Sequence, residues 1–330
     1  SQVVMFDSLQ QLQQADPKTV TDKIVFINQT LRKDIRGSFY GQVVGARAQG
    51  AVEAAKLGAS AIIIRSVGTS NNRFAHTGIM RYQEDVPRIP AAAISVPDAQ
   101  QLSKMLALNP ETRLSMHMQN NLPGEVTSHN IIAEITGSKR PDEIVLIGAH
   151  IDSWDEGTGA LDDGAGVGLV MATAALLKQQ KPERTIRVVL FGNEEGGLIG
   201  ARAYAARHAA KLKNHVFASE SDFGAGRIWR FDTGFGEQAL AFGADIQQQL
   251  KHLGIEAGSN TASGGPDVSV LKAMGVPVAS LQQDGTDYFD FHHTPNDTLD
   301  KIDPAALQQN LQAWLIMTQA IANSSVDLRK

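Results

Sequence analysis

Between residues 129 and 330 the chain alternates short apolar runs with longer amphipathic stretches, and this alternation constrains the fold more than any other feature. Runs at 131–135, 144–147, 185–191, 216–219 and 276–281 read as strands, and 166–178, 198–208, 237–253 and 304–322 read as helices. Such a repeat predicts a three-layer α/β/α domain with a mixed, largely parallel central sheet. Sheets of that kind bind ligands beyond the carboxyl ends of their strands. The residues directly after each strand are therefore where chemistry is to be sought.

The first part of the chain reads as a separate small α/β domain, with strands at 23–27, 61–64 and 91–95 and helices at 48–57 and 98–106. The breaker-rich stretch Gln119-Asn120-Asn121-Leu122-Pro123-Gly124 puts a boundary within 120–128, dividing the chain into domains 1–128 and 129–330. Two domains suit a length of 330 residues. Charge follows the same division. Residues 1–128 carry 13 basic and 10 acidic side chains (+3) and residues 129–330 carry 17 and 25 (−8), which together give the net −5.

That acidic balance lacks the basic footprint of a nucleic-acid partner. The apolar stretch 167–177 is too short to span a bilayer and reads as a core helix, so no membrane partner is expected. Ser1-Gln2-Val3-Val4 lacks the basic start and apolar core of a signal peptide, although a processed start reads the same way. The chain has no cysteine, which excludes a thiolate nucleophile, a disulfide framework and any thiolate-held metal. A metal, if bound, must be held by imidazole and carboxylate.

Those groups stand where the strands end. His150 and Asp152 follow the strand at 144–147, Glu194 and Glu195 the strand at 185–191, and Asp222 the strand at 216–219. Asp162 and Asp163 precede the helix at 166–178, and His292 and His293 lie beyond the last strand. Singly, each is better explained as a cap or a hydrogen-bonded structural residue. The adjacent Glu194-Glu195 pair is more telling, because two neighbouring anions at a sheet rim repel one another unless a cation sits between them.

The ordered set His150-x-Asp152, Asp162-Asp163-Gly164, Asn193-Glu194-Glu195-Gly196, Glu220-Ser221-Asp222 and Phe291-His292-His293-Thr294-Pro295-x-Asp297-Thr298 resembles the co-catalytic dizinc aminopeptidase and glutamate carboxypeptidase family. Upstream, Gln49 to Ala55, His76-Thr77-Gly78-Ile79 and Val86-Pro87-x-Ile89-Pro90 resemble the protease-associated domain inserted in such enzymes, here expected to begin incomplete at its N-terminus.

The resemblance implies two Zn2+ ions, with His150 and Asp222 as terminal ligands of different ions, Glu195 and His293 completing the two sites, and Asp162 bridging them. It makes Asp152 a partner that accepts a hydrogen bond from the His150 ring, and Glu194 the general base acting on a metal-bridged water. The Asp162-Asp163 peptide is expected to be cis. His292 stands where many relatives have Tyr, and it is either an oxyanion donor or a structural residue. The implied function is a metallo-exopeptidase, an aminopeptidase or dipeptidase acting on short unblocked peptides, secreted or periplasmic, with room for a homodimer. Two alternatives share the scaffold, a single-zinc glutaminyl cyclase-like enzyme and an inactive receptor-type binding domain. The absence of a Gly-x-Ser-x-Gly elbow accords with hydrolysis that needs no acyl-enzyme. His76, His117, His129, His208, His215 and His252 read as surface or structural residues, and Asp267 as a helix-start residue.

Overall fold

Four short apolar segments near the start of the chain pair side by side in a computed structural model that describes residues 1–121 and 124–330. They are β1 (Val3–Phe6), β2 (Ile24–Ile27), β3 (Ala61–Arg65) and β4 (Ala91–Ile94), all parallel and in the order β1-β2-β3-β4. Every residue of β2 and β3 is buried, as a parallel sheet covered on both faces requires. The helix Val96–Leu108 packs Ala99, Leu102 and Leu106 against Val3, Ile24, Phe26 and Ile63. It starts at Ser95, whose Oγ accepts the Asp98 N–H at 3.2 Å. The helix Tyr40–Lys56 begins eight residues before the expected 48, and β1 has no counterpart among the expected strands.

This unit comprises Ser1–Val126 together with Phe289–Asn296; the second comprises Thr127–Tyr288 and Asp297–Lys330. The boundary read at 120–128 includes Leu122 and Pro123, which lie outside the described residues. Within the first unit the Thr69 N–H donates to the Phe289 carbonyl at 2.9 Å and the Thr77 N–H to the His293 carbonyl at 3.1 Å. The segment carrying His292 and His293 thus packs with the first unit, although in sequence it follows the last strand of the second.

The second unit is built on a seven-stranded sheet of β5 (Ile131–Ile135), β6 (Arg140–His150), β7 (Arg184–Phe191), β8 (His215–Glu220), β9 (Ile228–Gly234), β10 (Glu256–Ala257) and β11 (Val278–Gln283). Their order is β10-β9-β11-β8-β6-β7-β5. The central strands β7, β6, β8 and β11 run parallel, while β5 pairs antiparallel with β7 and β9 antiparallel with β11. Successive side chains point to opposite faces. Accordingly Val145, Ile147 and Ala149 of β6 face one core with the helices Ala165–Lys178, Leu240–Leu250 and Pro304–Asn323. Ile144 and Leu146 face the other core with the helices Ile199–His208 and Pro266–Ala273. The result is the expected three-layer α/β/α arrangement. The apolar stretch 167–177 lies in Ala165–Lys178 and buries Leu169, Val170, Ala174 and Leu177 against the sheet.

A buried polar relay ties β7 to β8. Arg187 Nη1 donates to the Tyr204 hydroxyl at 2.7 Å, and that hydroxyl lies 2.7 Å from His215 Nε2. Burial, then the Arg187 charge, lowers the His215 pKa to about 4. The unfolded chain therefore takes up this proton near pH 6.5 while the folded chain resists it until about pH 4, so stability falls as pH drops through that window. The loss attributable to His215 is expected to approach about 3 kcal/mol. Urea denaturation from pH 7 to pH 4 checks it: His215→Asn should flatten the profile, and an unchanged slope counts against this assignment.

Candidate metal centre and active site

Three adjacent parallel strands bring the site together. His150 is the last residue of β6, Glu194 and Glu195 follow β7, and Asp222 follows β8. Asp162 and Asp163 sit in the turn Ala160–Gly164 that enters the helix Ala165–Lys178, and the peptide bond between them is cis. That helix can approach the strand ends because Gly166 has no side chain; a Cβ there would lie 2.2 Å from the Ser221 carbonyl oxygen and 2.3 Å from Asp163 Oδ1.

His150 Nε2 lies 3.1 Å from Asp162 Oδ1 and 3.4 Å from Asp222 Oδ1. His150, Asp162 and Glu195 present ligand atoms within 4.8 Å of one another, and His150, Asp163 and Asp222 form a second such group. His150 is 1% exposed and Asp162 5% exposed, so these charges are withdrawn from water. Imidazole with several carboxylate oxygens in a space this small is a donor set that suits zinc.

The electrostatics have a consistent sign. Burial opposes protonation of His150, but the charge of Asp222 and the neighbouring acceptor oxygens of Asp152, Asp162 and Asp222 outweigh it and raise the imidazole far above its usual range. Burial, reinforced by the charge of Asp222, pushes Glu194 up to about 8 and holds Asp163 well above the usual carboxylate range. Asp222 is raised by burial as well. A group of anions this crowded retains protons that a cation would displace.

Backbone amides support two of the anions, Asp163 and Asp152. Asp163 Oδ2 accepts the His150 N–H at 3.1 Å and Oδ1 the Gly166 N–H at 3.2 Å. Asp152 departs from its expected role. The His150 ring is oriented through Nδ1 by the Asp152 backbone carbonyl at 2.8 Å, whereas the carboxylate lies 3.7 Å from that nitrogen. The carboxylate instead accepts the amides of Glu194 at 2.9 Å and Glu195 at 3.1 Å. The reason is local: Asn193 adopts a left-handed conformation (φ 60°), and the turn presents two successive N–H groups that a carboxylate can take together.

In the first unit, His293 Nδ1 lies 3.0 Å from the Thr77 carbonyl, an arrangement that places the ring proton on Nδ1. The His292 ring stacks on His293 with centroids 3.5 Å apart, and the His292 carbonyl lies 2.8 Å from His76 Nδ1. His76, read from sequence as a bland histidine, is 1% exposed and anchors this segment; burial lowers its pKa to about 4.

Two further acids escaped sequence reasoning in this role. Asp267, in the first turn of Pro266–Ala273 as expected, is fully buried near Glu220 and raised to about 7 by burial. Asp297 belongs to the last motif, and the only sequence signal for it was that membership.

The sequence model of Peptidase family M28 matches residues 130–318, and the chain belongs to this family. Among its relatives, carboxypeptidase Q of Homo sapiens is 36% identical over 323 residues, which cover 97% of this chain and 66% of that protein. The chain therefore spans a little under two thirds of the length of the curated relatives it matches. A crystal structure of a Peptidase M28 precursor from Shewanella amazonensis SB2B is 52% identical and superposes with a TM-score of 0.94 over 100% of this chain and 75% of that one. A zinc aminopeptidase from Bacillus subtilis shares the fold, with a TM-score of 0.63 at 20% identity over 99% of this chain and 77% of that one.

The Asp152 bonds carry a testable consequence. Asp152→Ala leaves two amides of the Glu194-Glu195 turn without their acceptor and is expected to cost about 1–3 kcal/mol in urea denaturation. A stability equal to that of the parent protein would show that the turn holds itself.

Proposed function

We propose that the chain is a metal-dependent exopeptidase, an aminopeptidase or dipeptidase, that hydrolyses short unblocked peptides with two zinc ions. The observation that carries the reading is the convergence of His150, Asp162 and Glu195 ligand atoms within 4.8 Å at the carboxyl ends of parallel strands, in a chain of Peptidase family M28. In this reading His150, Asp162, Glu195, Asp222 and His293 would hold the ions, with Asp162 as the ligand shared between them.

Two zinc ions held by these residues would supply Lewis acidity, lowering the pKa of a water and polarising the scissile carbonyl. Glu194, next to a ligand and raised to about 8, is placed to take the proton of the attacking water and to return it to the leaving amine. Asp152 fixes the turn on which Glu194 sits. The His150 ring is held by the Asp152 carbonyl, which keeps the proton on Nδ1 and leaves Nε2 for coordination. His292 serves as an oxyanion donor, and residues 1–128 form a protease-associated domain. The motifs quoted above support both assignments, as they do a secreted or periplasmic location.

Glu194→Gln should keep about two zinc ions per chain while cutting turnover of a dipeptide or aminoacyl substrate by about 100-fold or more. Retained activity would reject Glu194 as the base. His150→Ala and Asp162→Asn should each lower the zinc content measured by mass spectrometry, and unchanged content would remove that residue from the ligand set. Hydrolysis of a dipeptide panel by the parent should stop on chelation and return with zinc. One zinc per chain without peptide cleavage would favour the cyclase-like alternative.

A further inference from the structure

We propose that Asp297 is the positioning residue for Asp162, holding the loop at 158–162 by its backbone so that the Asp162 carboxylate faces His150; this rests on the metal reading above. Asp297 is 4% exposed, and its interactions bracket the loop. Its backbone carbonyl accepts the Thr158 N–H at 2.9 Å and the Thr158 hydroxyl at 3.0 Å. Its carboxylate takes the Leu161 N–H on Oδ1 at 2.6 Å and the Asp162 N–H on Oδ2 at 3.2 Å. One residue thus fixes where the loop begins and where the bridging candidate ends.

The loop has no regular ladder to define its path. It turns at Gly159 (φ 62°), where a Cβ would lie 2.5 Å from Ser153 Cβ, and then enters the short turn containing Asp162. Two consecutive amides, Leu161 and Asp162, are satisfied by separate oxygens of one side chain, a task that needs two acceptor oxygens on a single carbon. Asn offers one acceptor and would turn its NH2 toward the second amide. Burying another anion close to Asp162 is electrostatically unfavourable. A purely space-filling role would not call for a carboxylate here, whereas a role in aiming Asp162 does. With the Asp162 amide fixed, the 3.1 Å approach of its Oδ1 to His150 Nε2 is set by side-chain torsion alone.

The test uses the full chain with Asp297→Asn, reading zinc affinity by competition with a chromogenic chelator, kcat and KM at saturating zinc, and thermal melting of the metal-stripped protein. Asp303→Asn serves as comparison, since Asp303 caps the helix Pro304–Asn323 by accepting the Ala305 N–H at 2.9 Å. Asp297→Asn should weaken zinc binding by about 10- to 100-fold and lower kcat with little change in KM, while Asp303→Asn alters only the melting temperature. Zinc affinity equal to the parent's, with only the melt lowered, overturns the proposal. Should Asp297→Asn fail to fold, Thr158→Val, which deletes one bond of the clamp, should shift zinc affinity in the same direction, and an unchanged value again overturns the proposal. A parent chain that takes up no zinc defeats the metal reading and this inference together, an outcome distinct from an unchanged variant.

Discussion

The repulsion among carboxylates around His150 is the constraint on which the site depends. Asp162 and Asp163, which are buried, and Asp222, Glu194 and Glu195, which are partly buried, gather near the carboxyl ends of β6, β7 and β8, where solvent screening is reduced. The fold meets this crowding in two ways. Asp152, Asp163 and Asp297 point back at the backbone and accept amide hydrogens, which fixes the turns they bind. Asp162 and Asp222 converge instead on the far nitrogen of a single imidazole. Imidazole and several carboxylates assembled at one sheet rim form a group that could hold a metal ion.

Packing makes that assembly rigid. The strands carrying the site are the most deeply buried of the sheet, with Val145, Leu146 and Ile147 fully buried on β6 and Val189 and Phe191 on β7. Their carboxyl ends cannot shift without disturbing both layers of helices. Irregular backbone is confined to the connections, namely the Asn193 turn and the loop at 158–162, and each is tied down by an aspartate. Regular structure fixes the direction of His150, and aspartate-bound loops fix those of Glu194, Glu195 and Asp162.

Much of this arrangement was legible in the sequence for a simple reason. The apolar runs at 144–147, 185–191 and 216–219 are unambiguous, so the first polar residues after them had to emerge at one rim. The strands β9, β10 and β1 were not visible, because Ile228–Gly234 interleaves Trp229, Arg230 and Asp232 with its apolar residues and Glu256–Ala257 is two residues long. The family resemblance implied that Asp152 binds the His150 ring through its side chain, whereas its main chain does so and its carboxylate reaches residues more than forty positions away. The roles of Asp297 and His76 depend on partners more than a hundred and two hundred positions distant, a relation that periodicity and spacing do not encode.

The central claim is that these carboxylates and His150 surround two cations bridged by Asp162. Anomalous diffraction at the zinc absorption edge, from crystals of the chain grown with zinc, tests it most directly. The account predicts two peaks about 3.5–4 Å apart, both within coordination distance of the Asp162 carboxylate. A single peak, or peaks remote from Asp162, would contradict it.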